Sequence, residues 1–92
     1  MQESFEINLT KEEKNLFCLA NKQKPKRERW LVKKPKLSID NLSGNKKIML
    51  MPNEGWWGIV IFRTTRKKPI TEKEARRKLC KWLNIILYWD KL

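Results

Sequence analysis

Residues 56–62, Trp56-Trp57-Gly58-Ile59-Val60-Ile61-Phe62, are the longest apolar run of the chain. The run is far shorter than the about 20 residues that cross a bilayer, and with turn formers in front of it, it reads as a β-strand. The strand is taken as Trp56–Arg63 and its hairpin partner as Lys47–Met51. Between them stands Pro52-Asn53-Glu54-Gly55, with Gly last, where a positive φ is often required. Alternation places Trp57, Ile59 and Ile61 on one face and Trp56, Val60 and Phe62 on the other. A sheet covered by helices on one face leaves the second set near solvent. Trp56, Val60 and Phe62 are therefore the candidate partner interface, to be covered by a chain terminus, a protein partner or a second copy.

Two helices frame the strands. Thr10 and Glu13 form a capping box that opens a helix over Lys11–Lys22, with Leu16, Leu19 and Ala20 on one side and Lys11, Lys14, Asn15 and Lys22 on the other. Pro25 prevents its continuation. Thr71 and Glu74 form a second capping box, and the helix that follows runs from Glu72 to about Trp89. At 100° per residue its apolar arc is Ala75, Leu79, Trp82, Leu83 and Ile86, opposite Lys73, Arg77, Lys81, Asn84 and Tyr88.

Residues 22–36 are a basic connector in which Glu28 is the sole acid. Trp30-Leu31-Val32, between Pro25 and Pro35, is its only strand core, and Lys36–Ile39 reads equally as an extension of that strand or as loop. Asp40-Asn41-Leu42-Ser43-Gly44-Asn45 is turn chemistry. The order helix, strand, strand, strand, helix predicts an α+β fold: a three-stranded antiparallel sheet with the N-terminal and C-terminal helices packed on one face. At 92 residues the whole chain, 1–92, is one small domain, and five Trp, three Phe and one Tyr suffice for a core.

Composition narrows the function. The chain has no His, which excludes histidine-based catalysis and every His-containing zinc site. Cys18 and Cys80 make no CxxC pair, and three Gly leave no phosphate-binding glycine loop. The expectation is a protein that is not an enzyme, with no cofactor, no metal and no small-molecule substrate. The acidic start, with Glu3, Glu6, Glu12 and Glu13, is unlike a signal peptide, so a cytoplasmic location with reduced cysteines and no membrane partner is expected.

Charge supplies the positive evidence. Twenty-two Lys and Arg against ten Asp and Glu give +12, an excess whose self-repulsion a polyanion would relieve. The cations cluster in the 22–36 connector and again over residues 63–81, where Glu72 and Glu74 are the only acids between residues 55 and 89. A solvated face kept charged for solubility would mix both signs, whereas phosphate binding by counterion release needs this clustering. The candidate nucleic-acid-binding residues are Arg66, Lys67, Lys68, Lys73, Arg76, Arg77 and Lys81, then Lys33, Lys34 and Lys36. Lys67 and Lys68 precede a helix N-terminus, whose N–H groups favour an anion. Trp82 belongs to the core by its place in the helix stripe, while Trp30 reads as a strand anchor or a stacking platform.

The element order resembles the double-stranded RNA-binding domain, over roughly residues 10–88. The best local match is Thr71-Glu72-Lys73-Glu74-Ala75-Arg76-Arg77-Lys78-Leu79, similar to the basic start of that family's last helix. The resemblance implies that Lys73 and Arg76 straddle the RNA major groove. Glu72 stands where the family has a Lys, and residues 40–45 lack its Gly-Pro-x-His loop. The back half is also similar to the small β-sheet DNA readers of integrase arms and plant transcription factors, which implies binding by Arg29, Lys33, Lys34, Lys36, Lys46 and Lys47 from strands. The expected function is backbone binding of nucleic acid, RNA more than DNA, within a larger assembly. The alternative is a small effector or inhibitor, of phage or mobile-element type, docking its basic face on an acidic protein groove. A protein partner or homodimer through the hairpin strand is compatible with both.

Overall fold

The computed structural model describes residues 4–42, 44–53 and 58–87. Their order is β1 (Phe5–Asn8), α1 (Lys11–Lys22), a single 3-10 turn (Lys26–Glu28), β2 (Lys36–Asp40), β3 (Lys46–Met51), β4 (Ile59–Thr64) and α2 (Glu72–Leu87). The fold is α+β, with the two helices and the hairpin in their expected places. Two expectations are corrected. The sheet has four antiparallel strands, in the order β1-β2-β3-β4, because Phe5–Asn8 pairs with β2 ahead of the first helix. The first strand of the expected set is Lys36–Asp40, while Trp30-Leu31-Val32 is not a strand. Apart from β1, the helix, three strands, helix order stands. No helix of the described residues is long and apolar enough to cross a membrane.

Alternation in β2 and β3 sends Leu37, Ile39, Ile48 and Leu50 to one face, where all four are fully buried. There they meet Phe17 and Ala20 of α1 and Ala75, Leu79 and Leu83 of α2, so both helices cover that face. Glu13, near the start of α1, is bonded by Arg76 of α2, and Gln23, just past the end of α1, donates from Nε2 to the Leu87 carbonyl at 3.1 Å. The helices therefore run parallel, with both N-termini at one end of the sheet.

Three buried asparagines, Asn21, Asn41 and Asn53, hold the irregular segments to this frame. An Asn side chain carries a donor and an acceptor, like a peptide unit, and can complete two backbone hydrogen bonds at once. Asn21 accepts from the Trp30 N–H at 2.9 Å and donates to the Trp30 carbonyl at 2.7 Å. Asn41 accepts from the Ile70 N–H at 2.9 Å and donates to its carbonyl at 3.0 Å. Asn53 accepts from the Lys33 N–H at 2.7 Å and donates to the Leu31 carbonyl. Side chains rather than a ladder thus hold Trp30-Leu31-Val32 in place, taking the Trp30 N–H and carbonyl and the Leu31 carbonyl. Among the described residues no buried side-chain polar atom lacks a partner.

A β-bulge shifts the register between β3 and β4. Ile48 faces Phe62, but the next residue, Met49, faces Val60, so Ile61 is the extra residue. Ile61 and Phe62 both pack against the core, and the Lys78 ammonium lies 4.4 Å from the centre of the Phe62 ring, beneath α2. The expected grouping of Phe62 with Val60 is thus corrected: the bulge turns Phe62 to the helix side and leaves Val60 beside Met49 on the open face. Trp56 lies outside the described residues.

Gly58 sits close against β3, on the side of Met49 and Met51. A Cβ there would lie 3.0 Å from the Met49 Cβ, 3.2 Å from the Met51 Cγ and 3.3 Å from the Leu50 carbonyl oxygen. The Met51 side chain can swing away, but the Met49 Cβ and the Leu50 carbonyl are fixed by the ladder. Gly58→Ala is expected to cost about 1 kcal/mol by overpacking, read as a lower urea midpoint at unchanged slope.

Candidate nucleic-acid interface

Ala75, Leu79 and Leu83 turn one side of α2 into the core, and this rotates Lys73, Arg77 and Lys81 to the exposed side. A spacing of four residues at a rise of 1.5 Å sets them roughly 6 Å apart along the axis. None of the three makes an ion pair among the described residues. Like charges at this spacing repel one another, by about 0.2–0.5 kcal/mol per pair.

The loop before α2 is held rigidly by a different cation. The Arg66 guanidinium pairs with the Glu74 carboxylate and donates from Nε to the Lys68 carbonyl at 3.1 Å. Its own carbonyl accepts from the Lys46 ammonium at 2.7 Å, and its N–H donates to the Thr64 hydroxyl at 3.3 Å. Lys67 and Lys68 are exposed on the loop so fixed. The second capping box forms only by half: the Thr71 hydroxyl accepts from the Glu74 N–H at 3.2 Å, while the Glu74 carboxylate turns to Arg66.

That hydrogen bond from Arg66 holds the Glu74 carboxyl below its ordinary value of 4.5. A carboxyl lowered by folding contributes stability above its ordinary value and loses it as pH falls through the lowered one. Glu74→Gln is therefore expected to lower Tm at neutral pH, and the gap to wild type should close on acidification below about pH 4. Thermal melts across pH check this.

Arg76 is also spent on the fold. It pairs with Glu13, which is itself buried, and with Glu72 at 3.0 Å, and it donates to the Asn8 carbonyl at 3.2 Å. One guanidinium thus ties α2 to the end of β1 and the start of α1. Arg76→Ala should cost about 2 kcal/mol by leaving the Glu13 carboxylate short of a partner. Arg77→Ala, one residue on and exposed, should leave the urea midpoint unchanged. Denaturant titration of the two side by side checks the contrast.

Lys33, Lys34 and Lys36 lie elsewhere. They line an open cleft of about 370 Å³ together with Asn8, Leu9, Lys14 and Pro35, and no described α2 residue contributes to its walls. Lys14 was legible only as part of the solvent side of α1; the strand that faces it, β1, was not expected. Of the set suggested by the β-sheet DNA readers, two members are structural. Arg29 donates to the Lys22 and Lys24 carbonyls at 2.9 and 3.0 Å, closing the end of α1, and Lys46 is buried.

The two described tryptophans, Trp30 and Trp82, divide as anchor and core. Trp82 packs against the core. Trp30 lies 5.8 Å from Phe17, ring centre to ring centre, and the Lys24 ammonium stands 3.3 Å above its ring, so one face is already occupied by a cation. Burial lowers the affinity of the Lys24 amine for its proton. Cys18 and Cys80 are free and half-buried, and burial pushes the Cys80 thiol up, away from the reactive thiolate.

Comparison with known proteins adds no relative. No family model, no curated protein and no solved structure matches this chain.

Proposed function

We propose that this chain is a non-enzymatic nucleic-acid-binding module that grips the phosphate backbone of a duplex, RNA in preference to DNA, through the exposed face of α2 and the loop before it. The observation that carries this reading is the row Lys73, Arg77, Lys81, three like charges stacked four residues apart with no ion pair among the described residues. A fold gains nothing from such a row, whereas a row of phosphates relieves its repulsion. Lys67 and Lys68 extend it along the loop that Arg66 fixes. Arg66 and Arg76 act as positioning residues, so the contacts expected from Arg76 in the resemblance to the double-stranded RNA-binding domain pass to Lys73 and Arg77. Lys33, Lys34 and Lys36 offer a separate basic surface. Readout would be of backbone and shape, with little dependence on sequence, in the cytoplasm and as part of a larger assembly.

The test is fluorescence-anisotropy titration of short duplex RNA, duplex DNA and single strands at about 50 mM salt. Tightest binding to duplex RNA supports the proposal; absence of binding to all of them overturns it.

A second reading rests on β4, which carries half-buried Val60 and has no strand beyond it among the described residues. In that reading the chain is an effector that docks on an acidic protein groove or pairs through this strand. Val60→Lys would then abolish partner binding, and would leave nucleic-acid affinity intact.

A further inference from the structure

The cleft beside α1 is a second site of different character. Its lysines come from three parts of the chain: Lys14 from the first turns of α1, Lys33 and Lys34 from the connector, and Lys36 from the first position of β2. Among the described residues no carboxylate lines it. Glu13, next to Lys14 in α1, is bonded to Arg76 and the Thr10 N–H. Lys14, Lys33 and Lys34 make no ion pair among the described residues.

The walls are fixed by bonds that leave the Lys14, Lys33 and Lys34 ammonium groups unused. Asn8 of β1 is paired with Lys36 in the ladder. The Lys33 N–H is held by Asn53 at 2.7 Å, and Pro35, buried, sets the backbone between Lys34 and Lys36. The Lys14 N–H bonds the Thr10 carbonyl at 2.9 Å, so α1 begins at a defined place relative to the strand before it. The lysine stems thus stand on a preorganised rim, and binding need not first order a loop.

A cleft of about 370 Å³ is at the small end of ligand sites. Four lysines lining one small opening favour a compact anion with several charges, and Lys binds phosphate as a point charge without the planar geometry that Arg imposes. We infer that this cleft binds a di- or triphosphate group. Such a group occurs at the 5′ end of an RNA strand and as a free polyphosphate. The site is independent of the α2 surface and does not rest on duplex binding there.

The test uses the full chain with inorganic tripolyphosphate, followed by calorimetry at about 50 mM salt. Lys14→Gln and the double variant Lys33→Gln/Lys34→Gln should each weaken binding by about tenfold or more, while Lys73→Gln/Arg77→Gln should change it by less than about twofold. Backbone NMR shifts of the wild type on adding tripolyphosphate should centre on Asn8, Leu9 and Lys14, a readout that needs no variant to fold. A 5′-triphosphate RNA strand that binds tighter than its 5′-hydroxyl twin, with the difference abolished in the cleft variants, identifies the strand end as the source. Tripolyphosphate binding with no such difference identifies the free anion. Equal weakening by the cleft and α2 variants, shifts spread over both surfaces, or no binding would overturn the site. Loss of duplex binding in the α2 variant alone would leave the cleft standing, so the two proposals fail separately.

Discussion

Replacing Lys73, Arg77 and Lys81 together by Gln is expected to weaken duplex binding by roughly a thousandfold at about 50 mM salt, with no loss of stability. The size follows from counterion release: each phosphate contact contributes about 0.9 to the salt slope, and three contacts are removed. Stability should hold because the three side chains are exposed and make no ion pair among the described residues. It should even rise slightly, since their mutual repulsion is removed. Arg66 and Arg76 behave in the opposite way. They lie in the same basic stretch, yet are tied to Glu74, Glu13 and Glu72, so their loss acts first on the fold. A variant panel that ignored this difference would confuse unfolding with loss of binding.

Asn41→Ala should cause a large stability loss among single polar substitutions, about 2–4 kcal/mol. Asn41 and Ile70 are both buried, and Asn41 supplies both bonds to the Ile70 backbone. Removing it leaves an N–H and a carbonyl without partners where water does not reach, at about 1–3 kcal/mol each. For a domain of this size that is a large part of a total near 5–14 kcal/mol. The loop it holds leads directly into α2, so the variant should also lose duplex affinity through misplacement of Lys68 and Lys73. Asn15→Ala, on the exposed side of α1, should cost nothing measurable. Urea titration of both variants decides.

The parts of the fold that were legible are those set by local chemistry. The Thr10–Glu13 box marks the start of α1, and the hydrogen bonds of that box are both present. The apolar arc of α2 was equally readable, with Ala75, Leu79 and Leu83 buried. β1 was missed although Phe5 and Ile7 alternate with Glu6 and Asn8, because four residues are a weak signal and the partner, β2, begins nearly thirty residues later. Trp30-Leu31-Val32 was mistaken for a strand because β-propensity reports a side chain's fit to a pleated surface. It cannot report that Asn21 and Asn53 will take the place of a ladder.

Legibility of the candidate site follows the same rule. That Lys73, Arg77 and Lys81 share an exposed face follows from helical periodicity alone. That Arg76 is drawn inward depends on Glu13, sixty-three residues away, whose capping role was readable but whose second partner was not. The side of Phe62 depended on a bulge at Ile61, and a single inserted residue reverses every later assignment on that strand. The cleft at Lys14 required β1 and the pinned connector to be in place together.

The measurement that tests the central claim most directly is the salt dependence of duplex-RNA binding, compared between the wild type and the Lys73/Arg77/Lys81→Gln variant. With Lys67, Lys68, Lys73, Arg77 and Lys81 as contacts, the slope of log K against log salt should be about −4.5 for the wild type and about −1.8 for the variant. Equal slopes would contradict the account, since they would mean that the phosphates are met elsewhere on the molecule.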